Sequence, residues 1–170
     1  SGRMEGSVWA DYNNDGHLDF FVIEALRGPR LFQNSGRWLF NRTDRSMQLQ
    51  GLPSVLGAAW LDANADGWPA LAVTGTSGTQ LHINGGPGPF IRRVSRSDIK
   101  GCGLTAYDYS GDGTTDLYVS ACSEAPLPFD AFLNNGGGSG FLQLDTGVMA
   151  STNNRLARGS EFLDFDRDGD

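Results

Sequence analysis

An acidic nine-residue pattern recurs four times along the chain, and it constrains the fold more than any other feature. It runs Asp11-Tyr12-Asn13-Asn14-Asp15-Gly16-His17-Leu18-Asp19, returns as 62–70 and 108–116, and begins once more at Asp164. Each copy has a glycine five residues before its first Asp, at Gly6, Gly57, Gly103 and Gly159, and the three full copies have valine at the twelfth position, at Val22, Val73 and Val119. Agreement at flanking positions as well as inside the pattern marks a true repeat of about 50 residues, a period typical of propeller-like arrays. A second landmark keeps the same period, in Asn34-Ser35-Gly36, Asn84-Gly85-Gly86 and Asn134-Asn135-Gly136, each flanked by short apolar runs. Asn and Gly tolerate the positive φ that tight hairpins demand, so these read as strand–turn–strand units.

Each period therefore reads as a four-stranded antiparallel meander: a strand (7–11 in the first copy), the acidic loop, a second strand (19–23), a connection, a third strand, the Asn-Gly turn and a fourth strand. The first two strands of each period are apolar on both sides, as in Ala58-Ala59-Trp60-Leu61 and Phe20-Phe21-Val22-Ile23. Sheets buried on both faces need neighbours on both, and radial stacking of four-stranded sheets supplies them. The expected fold is all-β, a β-propeller, with blades at about 6–50, 57–99 and 103–155 and the start of a fourth at 159–170. A propeller needs at least about four blades, so the chain is expected to be a piece of a longer polypeptide, of roughly six to eight blades.

Oxygen ligands at loop positions one, three, five and nine, a backbone carbonyl at seven and Gly at six suit a hard cation, and the spacing suits Ca²⁺. The first site would use Asp11, Asn13, Asp15, Asp19 and the carbonyl of His17; the third would use Asp108, Ser110, Asp112, Asp116 and the carbonyl of Thr114. The second offers Asp62, Asn64, Asp66 and the Trp68 carbonyl, but Ala70 replaces the ninth-position Asp, so it should bind weakly or not at all. The fourth, with Asp164, Asp166, Asp168 and Asp170, is truncated. An EF-hand would need a bidentate Glu at position twelve, where this chain has valine. Zinc is disfavoured because His and Cys are missing from ligand positions.

The loop, its upstream glycine and the downstream Asn-Gly turn together resemble the FG-GAP/VCBS repeat, the blade of calcium-bearing propellers such as that of integrin α subunits. The resemblance implies metal ligands at the positions above, an extracellular, cell-surface or periplasmic setting, and adhesion, lectin-like binding or scaffolding as the activity.

Of the 20 acidic residues, 12 lie in the four loops, so the net charge of −7 mostly reflects the loops rather than a partner. The basic residues form no stripe, which leaves nucleic-acid binding without electrostatic support, and no apolar run suggests membrane insertion. There is no Gly-x-Ser-x-Gly, and His82 alternates with Leu81 and Ile83, pointing to the other face of its strand. The favoured function is a non-enzymatic, calcium-stabilised propeller segment that binds a protein or a glycan or scaffolds a surface assembly, together with further blades or a complementary subunit. The alternative is the accessory propeller of a larger secreted enzyme, such as one processing polysaccharide.

Cys102 and Cys122 lie ten residues either side of Asp112, so in a hairpin they would face one another as a disulfide, free buried thiols being the alternative. Partner binding is expected on the rim opposite the acidic loops, where segments 24–30, 45–56, 74–79, 123–129 and 148–158 vary, with Arg27, Arg30, Leu127 and Phe129 as anchors.

Overall fold

The computed structural model describes residues 4–24, 27–49, 52, 54–109, 111–121, 131–134 and 142–143. These form three four-stranded antiparallel sheets, each a meander in chain order. Blade one is β1 (Met4–Ala10), β2 (Asp19–Glu24), β3 (Arg30–Asn34) and β4 (Phe40–Arg42); blade two is β5 (Val55–Leu61), β6 (Ala70–Gly75), β7 (Gly78–Ile83) and β8 (Ile91–Arg96). Blade three is β9 (Gly101–Tyr107), β10 (Asp116–Ala121), β11 (Ala131–Asn134) and β12 (Leu142–Gln143). The fold is all-β, an incomplete propeller, as the repeat predicts. The fourth repeat, 159–170, lies outside the described residues.

The two-sided apolar pattern of the first two strands is explained by stacking. Phe21, Ile23 and Leu31 of blade one meet Ala58, Leu71 and Val73 of blade two in one buried cluster. Ala59, Ala72 and Leu81, on the other face of blade two, meet Leu117, Val119 and Leu133 of blade three in another. Blade two is thus covered on both faces, and every residue of β6 is buried.

At Gly57 the upstream glycine has a steric reason, whereas a Cβ on Gly6 would meet nothing within 4 Å. A Cβ on Gly57 would lie 2.9 Å from the Cα of Gly103, so the first strands of blades two and three approach backbone to backbone where only glycine fits. Just before this glycine each ladder slips by one residue, between Met4 and Gly6, between Val55 and Gly57, and at Cys102, where Ser120 pairs with Gly103 but Ala121 pairs with Gly101. Such bulges bend a strand and add twist. In blade three the extra residue is Cys102, which stands opposite no residue of β10 in the ladder. Cys102 is not a free thiol, and Cys122 lies outside the described residues.

The opposite rim is more committed than its sequence suggests. Segment 74–79, expected as a variable loop, is a tight hairpin: Thr74 and Thr79 share a 2.7 Å hydroxyl contact, Thr79 donates to the carbonyl of Ile99, and the Gly101 amide donates to Thr74. These buried threonines tie blade two to the start of blade three. Segment 45–56 departs from expectation as well. Its Leu49 is fully buried in the cluster between blades one and two, and the Phe90 amide donates to the Met47 carbonyl.

Candidate functional site

The three acidic loops sit between the first and second strands of their blades, and in blades one and two they share one rim with the turn after the third strand. Their shape is set locally. The carboxylate of Asp11 accepts the amides of Asp15 and Gly16, that of Asp62 the amides of Asp66 and Gly67, and that of Asp108 the amides of Asp112 and Gly113. The fifth-position Asp caps the seventh amide in each loop, from His17, Trp68 and Thr114. Position six is glycine at φ +80° to +85°. Position four is left-handed as well, at Asn14, Ala65 and Gly111, a requirement that the Asp-Gly spacing does not reveal.

Loop two repeats the capping bonds that the first- and fifth-position Asp make in loop one, although Ala70 stands where Asp19 does. The ninth position therefore does not shape the loop. Asp19 instead joins it to the following turn: its fully buried carboxylate accepts the amides of Tyr12 (3.1 Å) and Asn34 (2.7 Å). Burial pushes its pKa up to about 6 against the pull of those two amides. Asp15 goes the other way, held below the usual carboxylate range chiefly by the Asn13 side-chain amide. Asp116, the ninth residue of loop three, is also fully buried.

The donor set fits a hard cation in two respects. Loop one presents carboxylate and amide oxygens, and the Oδ1 of Asn13, at the third position, is buried without a hydrogen-bond partner. A desolvated carboxylate such as Asp19 is also where a nearby positive charge gains most. Among the described residues, however, no three His, Cys, Asp or Glu side chains converge as a ready cage. The carboxylates cap backbone amides instead. Ser110 and 164–170 lie outside the described residues.

The Asn of the second landmark works differently from expectation. The positive φ falls on Gly36, Arg37 and Trp38 in the first turn and on Gly86 in the second, whereas Asn34 ends β3 and is buried. Its side chain donates to the Leu18 carbonyl and accepts the Gly36 amide. Asn84, 1% exposed, donates to the carbonyl of Pro69 (3.2 Å) and, across the blade boundary, to that of Tyr12, while accepting the Gly86 amide. Asn14 adds a second bridge, to the Gly67 carbonyl. Position seven also has a role that sequence reasoning missed: its side chain covers the turn glycine, His17 over Gly36 and Trp68 over Gly86.

Of the expected anchors, Arg30 is held 2.6 Å from buried Glu24, and Arg27, still exposed, stands 3.7 Å from the same carboxylate. Leu127 and Phe129 lie outside the described residues. His82 is buried, hydrogen-bonded to Gln80, and its pKa is lowered by burial to about 4. It is neutral at physiological pH and on the face away from Leu81, as expected.

An FG-GAP-like repeat model matches residues 11–73, from the first Asp of loop one to the valine that follows loop two. No curated protein matches the chain. Among solved structures the chain is similar to a lectin from Agrocybe aegerita whose structure concerns specific recognition of non-reducing terminal N-acetylglucosamine, with a TM-score of 0.52 and 20% identity. That similarity covers 83% of this chain but only 38% of the lectin, so the chain spans well under half of that neighbour.

Proposed function

We propose that this chain is a calcium-stabilised, non-enzymatic propeller segment of an extracellular or cell-surface protein, which binds a glycan or a protein partner. The observation that carries the metal reading is the partnerless buried Oδ1 of Asn13, set among carboxylates in a loop whose backbone is preformed by its own caps. In this reading Asp11, Asn13, Asp15, Asp19 and the His17 carbonyl hold the ion in blade one. A bound cation supplies charge that keeps Asp19 ionised and pins the loop to the turn at Asn34.

The binding reading is supported by how the remaining polar groups are used. Glu24, Asp44 and Asp98 are each ion-paired with an arginine, and His82 is a neutral core residue. The lectin neighbour motivates a glycan ligand, and exposed Arg27 is the anchor available on the opposite rim. The alternative, an accessory propeller of a larger secreted enzyme, would use the same scaffold. In thermal unfolding, Ca²⁺ should raise the midpoint, Mg²⁺ should do so less, and a chelator should remove the gain. Glycans ending in N-acetylglucosamine are the first ligands to titrate. An unchanged midpoint with Ca²⁺ would refute the metal reading, and absence of glycan binding would turn the search to protein partners.

A further inference from the structure

Loop one is fastened to blade two through the residues between its expected ligands. Tyr12, at position two, lies nearly parallel to Trp60 (10°, centroids 6.3 Å apart) and 5.8 Å from Phe90, both of blade two. Tyr12 and Phe90 are buried. The carbonyl of Tyr12 accepts the side-chain amide of Asn84, also of blade two. Asn14, at position four, donates its side-chain amide to the Gly67 carbonyl of loop two (3.1 Å). Positions one, three and five carry the oxygens expected to face a cation, and positions two and four carry the bonds to the next blade.

Loop two is fastened differently. Its second residue, Ala63, belongs to one apolar cluster with Ala106 of blade three, and its fourth, Ala65, has no side-chain amide to give. The third residues diverge as well. Asn13 and Asn64 each donate to the fifth-position Asp, at 2.7 and 2.8 Å. Asn64 is nevertheless exposed, whereas Asn13 is partly buried and its Oδ1 is buried without a partner. The difference therefore lies outside the loop's own bonds.

The path from blade two to the ligands is short. The Tyr12 carbonyl and the Asn13 nitrogen belong to one planar peptide group, so the bond from Asn84 fixes the plane from which the Asn13 side chain departs. The amide of the same Tyr12 donates to Asp19 (3.1 Å). One residue held from blade two thus acts on the third- and ninth-position ligands together. Asn84 is itself fixed by its own blade, donating to the Pro69 carbonyl and accepting the Gly86 amide. We propose that loop one is a two-blade cation site, in which Asn84 of blade two and Asn14 are positioning residues for Asn13 and Asp19. The proposal rests on the calcium reading of loop one above. Such coupling is reciprocal, so calcium affinity and the docking of blade one on blade two strengthen each other.

Calorimetric titration of the full chain with Ca²⁺, in an Asp112→Ala background that leaves loop one as the tight site, tests this. Asn14 is exposed and sits at φ +52°, a conformation glycine adopts freely, so Asn14→Gly removes the bond to Gly67 and keeps the fold. It should weaken binding about threefold. Asn84→Ala, where circular dichroism shows it folded, should weaken binding about tenfold. Thr79→Val is the control for lost stability, because Thr79 bonds to Ile99 on the opposite rim; it should leave the affinity unchanged. Ca²⁺ should also slow hydrogen exchange at the Gly86 amide, which Asn84 holds. No calcium-dependent heat from the parent refutes the metal reading and this inference together. Tight binding that either Asn14→Gly or a folded Asn84→Ala leaves unchanged keeps the metal reading and overturns the two-blade site. Equal weakening by Thr79→Val, or unchanged exchange at Gly86, overturns it as well.

Discussion

Replacing Asn84 with Ala isolates the hydrogen bonding that joins blade one to blade two. The side chain is 1% exposed and makes three hydrogen bonds, two donated to the carbonyls of Tyr12 and Pro69 and one accepted from Gly86. Removing it strands the buried Tyr12 carbonyl and Gly86 amide and the partly buried Pro69 carbonyl. At roughly 1–2 kcal/mol for each stranded buried group, the loss is about 3–6 kcal/mol. Asn34→Ala is the internal control. Its side chain makes two bonds, both within blade one, so the same rate gives about 2–4 kcal/mol. The difference, roughly 1–2 kcal/mol, is the share of the cross-blade bond to Tyr12. Urea denaturation of both variants measures it, provided the slope with denaturant is unchanged. Asn84→Asp sharpens the test, because a carboxylate can still accept the Gly86 amide but faces two carbonyls with no proton to offer. It should be at least as damaging as Ala. If Asn84→Ala costs no more than Asn34→Ala, or if Asp restores stability, Asn84 does not join the blades in the way described.

Three further outcomes follow from single residues. Ala65 is exposed and sits at φ +56°, so Ala65→Gly should stabilise the chain by about 0.5–1 kcal/mol after the entropy of the unfolded glycine is counted, read from the same denaturation curves. His82, with its pKa lowered by burial from 6.5 to about 4, binds a proton more readily unfolded than folded; its contribution is complete above pH 6.5 and is lost as pH falls towards 4. The loss is about 3 kcal/mol at most, and His82→Gln should flatten that part of the stability profile. If Cys102 and Cys122 are bridged, thiol titration of the denatured, unreduced chain should find no free cysteine, and two free thiols would refute the bridge.

The blades and acidic loops were legible in the sequence because their determinants are local. Asp at position one caps amides only four and five residues away, and Gly at six supplies a backbone that little else can adopt. The strand pattern was legible because blade two buries both faces. What could not be read joins residues far apart in the chain. Tyr12 and Ala63 occupy equivalent positions, and nothing near either one says that the first meets a tryptophan and the second an alanine. The landmark asparagines were read as turn formers because Asn favours turns; the buried side chains of Asn34 and Asn84 serve instead as hydrogen-bond tethers, the longest spanning 72 residues. Segment 45–56 was read as a variable connection on the rim opposite the acidic loops, but Met47 and Leu49 pack into the cluster between two blades. The bulge at Cys102 was hidden as well, because it shows only in how β9 pairs with β10.

The central claim is that the acidic loops are cation sites ranked by their ligands, and calorimetric titration of the chain with Ca²⁺ tests it most directly. Loops one and three have an Asp at position nine, whereas loop two has Ala70, so Asp15→Ala and Asp112→Ala should each remove a tight site while Asp66→Ala leaves the titration nearly unchanged. Equal losses from all three variants, or no calcium-dependent heat from the native chain, would contradict it.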